Sequence, residues 1–220
     1  MKKLIVGVIV VVAVFWIYNA FKDDKVYYVS ISDKTSIDPN INYGYKNHIE
    51  DYLSELDILE KYVDIYNEND RITDIIRNID DNKKYDNKTF KNILIKADIL
   101  TLSIGYNDII SKLDKYSDYE IYKYIDTYIN DLENLYKLLR EYDKEDIIMI
   151  GYYNPYDNSY DNTINYINKR VKDLCNDYKI NYIDISDMKE YIDNGYIIIE
   201  GQHIIFDKLR SIVDDNISNK

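Results

Sequence analysis

Cysteine, proline and glycine are all scarce in this 220-residue chain, which has one Cys, two Pro and six Gly. A single cysteine, Cys175, excludes an intramolecular disulfide and any cysteine-based metal cluster, and in a helical pattern it reads as a small buried apolar residue. So few glycines leave no glycine-rich cradle for phosphates, so no nucleotide cofactor is expected. The two histidines stand 155 positions apart, and the acids lack the alternating spacing of a calcium loop. No metal or other cofactor is therefore expected. Positive charge is also short: 28 Lys+Arg against 40 Asp+Glu give a net charge of −12. A surface of that sign repels phosphate backbones and argues against a nucleic-acid partner.

What is abundant is tyrosine, with 26 residues against four Phe and one Trp. With so much Ile, Asn, Asp and Lys, this composition fits an AT-rich genome, bacterial in character. Tyrosine then serves as a general apolar residue. At 46% hydrophobic the chain is too apolar for intrinsic disorder, and its length suits one domain plus a short extension.

That extension lies at the amino terminus. After Met1-Lys2-Lys3, residues 4–21 form a run of 18 positions with only Asn19 polar, closed by Lys22-Asp23-Asp24-Lys25. At roughly 1.5 Å per residue this is just long enough to cross a hydrocarbon layer about 30 Å thick. Trp16 and Tyr18 suit the membrane interface. The run ends in Phe15-Trp16-Ile17-Tyr18 rather than a small-x-small cleavage site, so an uncleaved anchor over residues 1–22 is favoured over a signal peptide. The lysines then place the body of the chain, residues 26–220, on the extracytoplasmic side of a single-pass membrane protein.

From residue 26 onward, short β-rich runs at 26–31, 62–66, 99–104, 147–151 and 182–185 alternate with amphipathic stretches near 44–58, 70–80, 117–142, 161–178 and 204–216. This is the pattern of a three-layer α/β/α, flavodoxin-like parallel sheet. Residues 80–88 read as a solvated loop and 152–162 as a long loop. Function in such sheets gathers at the carboxyl ends of the strands. The segments there are Ser32-Asp33-Lys34-Thr35, Asn67-Glu68-Asn69-Asp70 and Gly105-Tyr106-Asn107-Asp108, joined by Glu200-Gly201-Gln202-His203 near the last helix.

In order and spacing these segments resemble the SGNH/GDSL hydrolase superfamily. Gly105-x-Asn107-Asp108 after an apolar strand matches the family's third block in full. By that resemblance, Gly105 and Asn107 inherit oxyanion-hole roles, as does the backbone of Asn69, where the family has glycine. The closing Asp-x-x-His block is read as Glu200-x-x-His203, making His203 the general base and Glu200 its orienting carboxylate. The first block departs from the pattern. Asp33 is kept, but Lys34 holds the position of the nucleophilic serine, and an ammonium cannot form an acyl-serine ester. Lys34 is expected to pair with Glu200. Ser32, Thr35 and Ser36 are the hydroxyls within reach, with Ser32 the displaced candidate, expected on the same side of the strand end as Lys34.

The resemblance therefore implies a catalytically impaired pseudo-hydrolase that binds an acylated lipid, glycan or cell-wall ligand, or a partner protein. Two alternatives stay open: an active ester hydrolase or deacetylase using a displaced hydroxyl, and a membrane-tethered structural module with a vestigial site. Asn107-Asp108 also reads simply as a helix cap. His48, in a polar helical stretch, reads as solvated.

Overall fold

A computed structural model describes residues 25–142, 146–156 and 158–218. The anchor expected over residues 1–22 lies outside the described residues; among these, no helix is long and apolar enough to cross a membrane. The chain runs β1 (Val26–Ser32), α1 (Tyr45–Glu55), β2 (Leu59–Tyr66), α2 (Ile72–Asp80), β3 (Lys84–Tyr85), β4 (Lys88–Thr89), α3 (Phe90–Lys96), β5 (Ile99–Ser103), α4 (Asp118–Arg140), β6 (Ile147–Ile150), α5 (Asp161–Asp177), β7 (Asn181–Ile183), β8 (Ile192–Asp193), β9 (Tyr196–Ile197) and α6 (Ile199–Ser218).

Five strands form one parallel sheet in the order β2-β1-β5-β6-β7. Counting the sheet's own strands, this is the 2-1-3-4-5 order of doubly wound flavodoxin-like folds, with its switch point between β1 and β5. The three central strands are buried throughout, because helices cover both faces; hence they carry no charged residue and no polar one but Ser and Thr. Edge strand β2 instead alternates, burying Val63 and Ile65 and exposing Asp64 and Tyr66.

The two faces of the sheet differ in chemistry. Toward α2 and α3 it presents Ile31 and Ile65, which meet Ile75 and Phe90. Toward α1 it presents hydroxyls, several of them hydrogen-bonded, whereas Ser30 Oγ and Tyr62 Oη are buried without a hydrogen-bond partner. Tyr28 shares a 2.9 Å hydrogen bond with Thr101, Tyr45 of α1 donates to Ser103 Oγ at 2.9 Å, and Lys46 of α1 donates to Ser32 Oγ at 3.1 Å and Asp64 Oδ2 at 2.8 Å. Several of the tyrosines are core material: Tyr27, Tyr28, Tyr45, Tyr136 and Tyr153 are among the largest fully buried side chains. Cys175 is buried too, its thiol pushed up to about 12 by burial.

Two short hairpins depart from the expected element list. Residues 80–88, expected as loop, contain β3 and β4, which pair across Asp86 and Asn87, both in the left-handed region. β8 and β9 pair across Asn194-Gly195, with φ of 49° and 81°, as a two-residue hairpin demands. The last helix also starts five residues earlier than the expected 204, so Glu200 and His203 lie inside α6 rather than ahead of it.

Candidate functional site

The site is built outward from Asp33. β1 ends at Ser32, and Asp33 caps a single 3-10 turn, Lys34–Ser36. Its buried carboxylate accepts from Thr35 N and Tyr106 N, both at 2.9 Å, so it ties the turn after β1 to the turn after β5. Burial raises the pKa of this carboxyl, against the pull of those two N–H donors. Asp33 is thus a clamp between strand ends.

Lys34 projects from that turn into an aromatic setting. Its Nζ lies 3.6 Å from the centre of the Tyr106 ring and 4.7 Å from that of Tyr196, close enough for cation–π attraction to both. Partial burial lowers the pKa of the ammonium, and Asp33 and Glu68 oppose that shift. The expected pairing of Lys34 with Glu200 is not made; Glu200 is solvent-exposed on α6. Tyr196 reaches over the amine and donates to Glu68 Oε1 at 3.0 Å, while Tyr153 donates to Gly195 O at 2.9 Å. These two bonds strap the β8–β9 hairpin across the strand ends.

The oxyanion candidates have other employment. Asn107 Nδ2 donates to the carbonyls of Glu68 and, at 3.4 Å, Asp70, which pins the loop after β2. The N–H of Asn69 is taken by Asn67 Oδ1 at 3.0 Å. Gly105 has φ +100°, and a Cβ there would lie 2.7 Å from Tyr152 Oη and closer still to Tyr128 Oη. Only glycine fits this turn. Asp108 does cap a helix, as the bland reading allowed, but a neighbouring one: its Oδ2 accepts from Ile72 N, at the start of α2, at 3.0 Å. Among Ser32, Asp33, Asn67, Asp70 and Ile104 there is about 10 Å³ of free space, roughly one water.

His203 and Glu200 do not join this group. His203 faces α1, with ring centroids 5.0 Å from His48 and 5.9 Å from Phe206, and its Nε2 lies 3.9 Å from Asp207 Oδ2. The neighbouring residue, Gln202, turns inward instead. It is fully buried, donating to Thr35 O at 3.0 Å and accepting from Tyr45 N at 3.1 Å. His48, expected solvated, packs against Tyr43, His203 and Phe206. Ser32 was expected beside Lys34 but faces α1, where Lys46 holds its hydroxyl. Residue 34 is not on the strand, so alternation along β1 does not carry over to it.

The residue from the closing segment that does meet Lys34 is Tyr196. It sits three residues after Asp193, on β9, just ahead of α6. Glu200 and His203 lie about one helical turn and more further on, inside α6. The sequence signal for the hairpin is Asn194-Gly195, a dipeptide that fixes Asp193 and Tyr196 on paired strands. At the strand ends, then, an amine stands against two phenol rings.

Sheet order and switch point define a doubly wound, flavodoxin-like α/β/α domain. Solved structures carry the same fold. A lipase from a goat-rumen metagenome superposes with a TM-score of 0.68 at 16% identity, covering 86% of this chain and 97% of its own. An acetylxylan esterase from Geobacillus stearothermophilus gives 0.63 at 16%, covering 86% and 93%, and another acetyl xylan esterase gives 0.61 at 15%, covering 84% and 98%. At such identities the likeness is one of fold. No protein-family model and no curated protein matches the sequence.

Proposed function

We propose that this chain is a membrane-tethered, extracytoplasmic SGNH-type domain that has lost serine-dependent ester hydrolysis and binds an acylated, glycan or other cell-envelope ligand, or a partner, without turnover. One observation carries the reading: Lys34, at the position that the resemblance gives to the nucleophile, lies against the Tyr106 and Tyr196 rings rather than beside an imidazole. An amine against phenols cannot form or release an acyl ester as the Ser–His pair does, because the amine would yield a stable amide and a neutral phenol is a poor proton acceptor at pH 7.

The displaced hydroxyls fit catalysis poorly. Ser32 Oγ is buried beneath Lys46, an ammonium held by Asp64, which is no proton acceptor while so paired. Ser36 Oγ is fully buried and donates to Asp33 O at 2.8 Å. Tethering rests on the apolar run at residues 4–21 and the lysines before it.

The test is exposure of the full chain, in detergent, to a fluorophosphonate, followed by intact-mass analysis. The expected result is a folded protein without adduct. A single adduct mapped to Ser32, Thr35 or Ser36 refutes the proposal and establishes an active hydrolase with a displaced nucleophile.

A further inference from the structure

The chain has two histidines, and the fold brings them together. His48 lies on α1 and His203 on α6, and their ring centroids are 5.0 Å apart with ring planes at 71°. They share a 320 Å³ cleft between the two helices with Asp51, Tyr52, Glu55, Phe206 and Arg210. His48 Nε2 is buried and has no hydrogen-bond partner, a state that costs free energy unless something else satisfies the nitrogen.

We propose that His48 and His203 form a bis-imidazole site for a divalent late first-row transition metal, zinc foremost. This stands apart from the strand-end site and does not depend on its chemistry. With metal–nitrogen bonds of about 2.0–2.1 Å, each ring centroid lies roughly 3.2 Å from the metal, and a tetrahedral angle puts the two centroids about 5.2 Å apart. The rings stand in edge contact with centroids 5.0 Å apart, so the pair is within the span of one ion, and rotation of the rings is needed to turn a nitrogen of each toward it.

Carboxylates flank the pair on both helices. Asp51 follows His48 by three residues on α1 and is bonded by Tyr43 Oη; Asp207 follows His203 by four on α6, 3.9 Å from its Nε2. Both lie on the faces their histidines occupy, as i,i+3 and i,i+4 neighbours do. The one cation lining the cleft, Arg210, is drawn aside, 4.8 Å above the Tyr52 ring and 3.8 Å from Asp214 Oδ2. Among the described residues no three His, Cys, Asp or Glu side chains already stand in ligating geometry. The site is therefore two imidazoles and water, with Asp51 or Asp207 completed by side-chain rotation. Such a set suits zinc, nickel or copper rather than calcium or magnesium, which take oxygen ligands. The ion would bolt α1 to α6.

The experiment is calorimetric titration of zinc chloride into the full chain in detergent, with any purification tag removed, beside His48→Ala and His203→Ala. The expected result is one site per chain, weakened at least about tenfold by either substitution. The imidazole proton signals of the two histidines should shift together at the same zinc equivalence. His203 is half-exposed, so its substitution keeps the test valid even where His48→Ala disturbs packing. No saturable zinc binding, or binding that survives His203→Ala unchanged, overturns the proposal.

Discussion

Replacing Asp108 by Asn removes a buried charge while keeping an acceptor for the Ile72 N–H that the carboxylate now receives. Asp108 is 6% exposed. Burial pushes its pKa up to about 6 from the ordinary 3.8, against the opposing pull of Ile72 N–H, Lys112 and Arg71. The carboxyl is thus easier to protonate folded than unfolded. Below about pH 4 it is protonated in both states and contributes no pH dependence. Between about pH 4 and pH 6 the folded chain keeps a proton that the unfolded chain has released, so stability falls as pH rises. Above about pH 7 the loss is complete. A displacement of about two units corresponds to about 3 kcal/mol. Asp108→Asn is therefore expected to match the parent near pH 4 and to exceed it by about 2–3 kcal/mol at pH 7.5. With a urea dependence of about 2 kcal/mol per molar, the unfolding midpoint rises by about 1 M. The assay is urea unfolding of the full chain in non-ionic detergent at several pH values, followed by near-ultraviolet tyrosine circular dichroism. Taking the difference between parent and variant cancels the other carboxylates. A pH-independent difference, or one that grows toward acid, refutes the reasoning.

Gly105→Ala combines a φ of +100° with a Cβ 2.7 Å from Tyr152 Oη. It is expected to cost about 2–4 kcal/mol, read as a lower urea midpoint, and a midpoint unchanged within error would count against the turn geometry. Lys34→Ser alone is expected to give no esterase activity, because the side chain that meets residue 34 from the β8–β9 hairpin is the phenol of Tyr196, a poor proton acceptor. Lys34→Ser combined with Tyr196→His places hydroxyl, imidazole and Asp193 in the family's order and is expected to hydrolyse p-nitrophenyl acetate above the parent's rate. Equal activity of the single and double variants would show that Tyr196 is not the blocking residue.

The five strands of the main sheet were legible because each is a short β-rich run closed by polar residues, the central ones uncharged because both their faces are covered and edge strand β2 alternating. Gly105-x-Asn107-Asp108 was legible as a motif, yet its side chains serve the loop after β2 and the start of α2. α3 and the β3–β4 hairpin escaped notice for a different reason. Seven residues of helix and two-residue strands are too short for a periodicity to rise above the composition. The Ser32 reading failed on a local detail: the chain leaves the strand after residue 32 and turns about the Asp33 cap, so two-residue alternation stops there.

Local rules of pattern and propensity are written in consecutive residues, and from them the sequence by itself determined the alternation of strands and helices and the apolar amino-terminal run, while its single cysteine excluded a disulfide within the chain. Only the tertiary structure decided that Tyr196 meets Lys34, that His203 turns away from the strand ends, and that it meets His48 across 155 residues. Those pairings depend on which side of a helix a residue falls and where that helix begins. A shift of one residue rotates a side chain by about 100°, enough to move it from one neighbour to another.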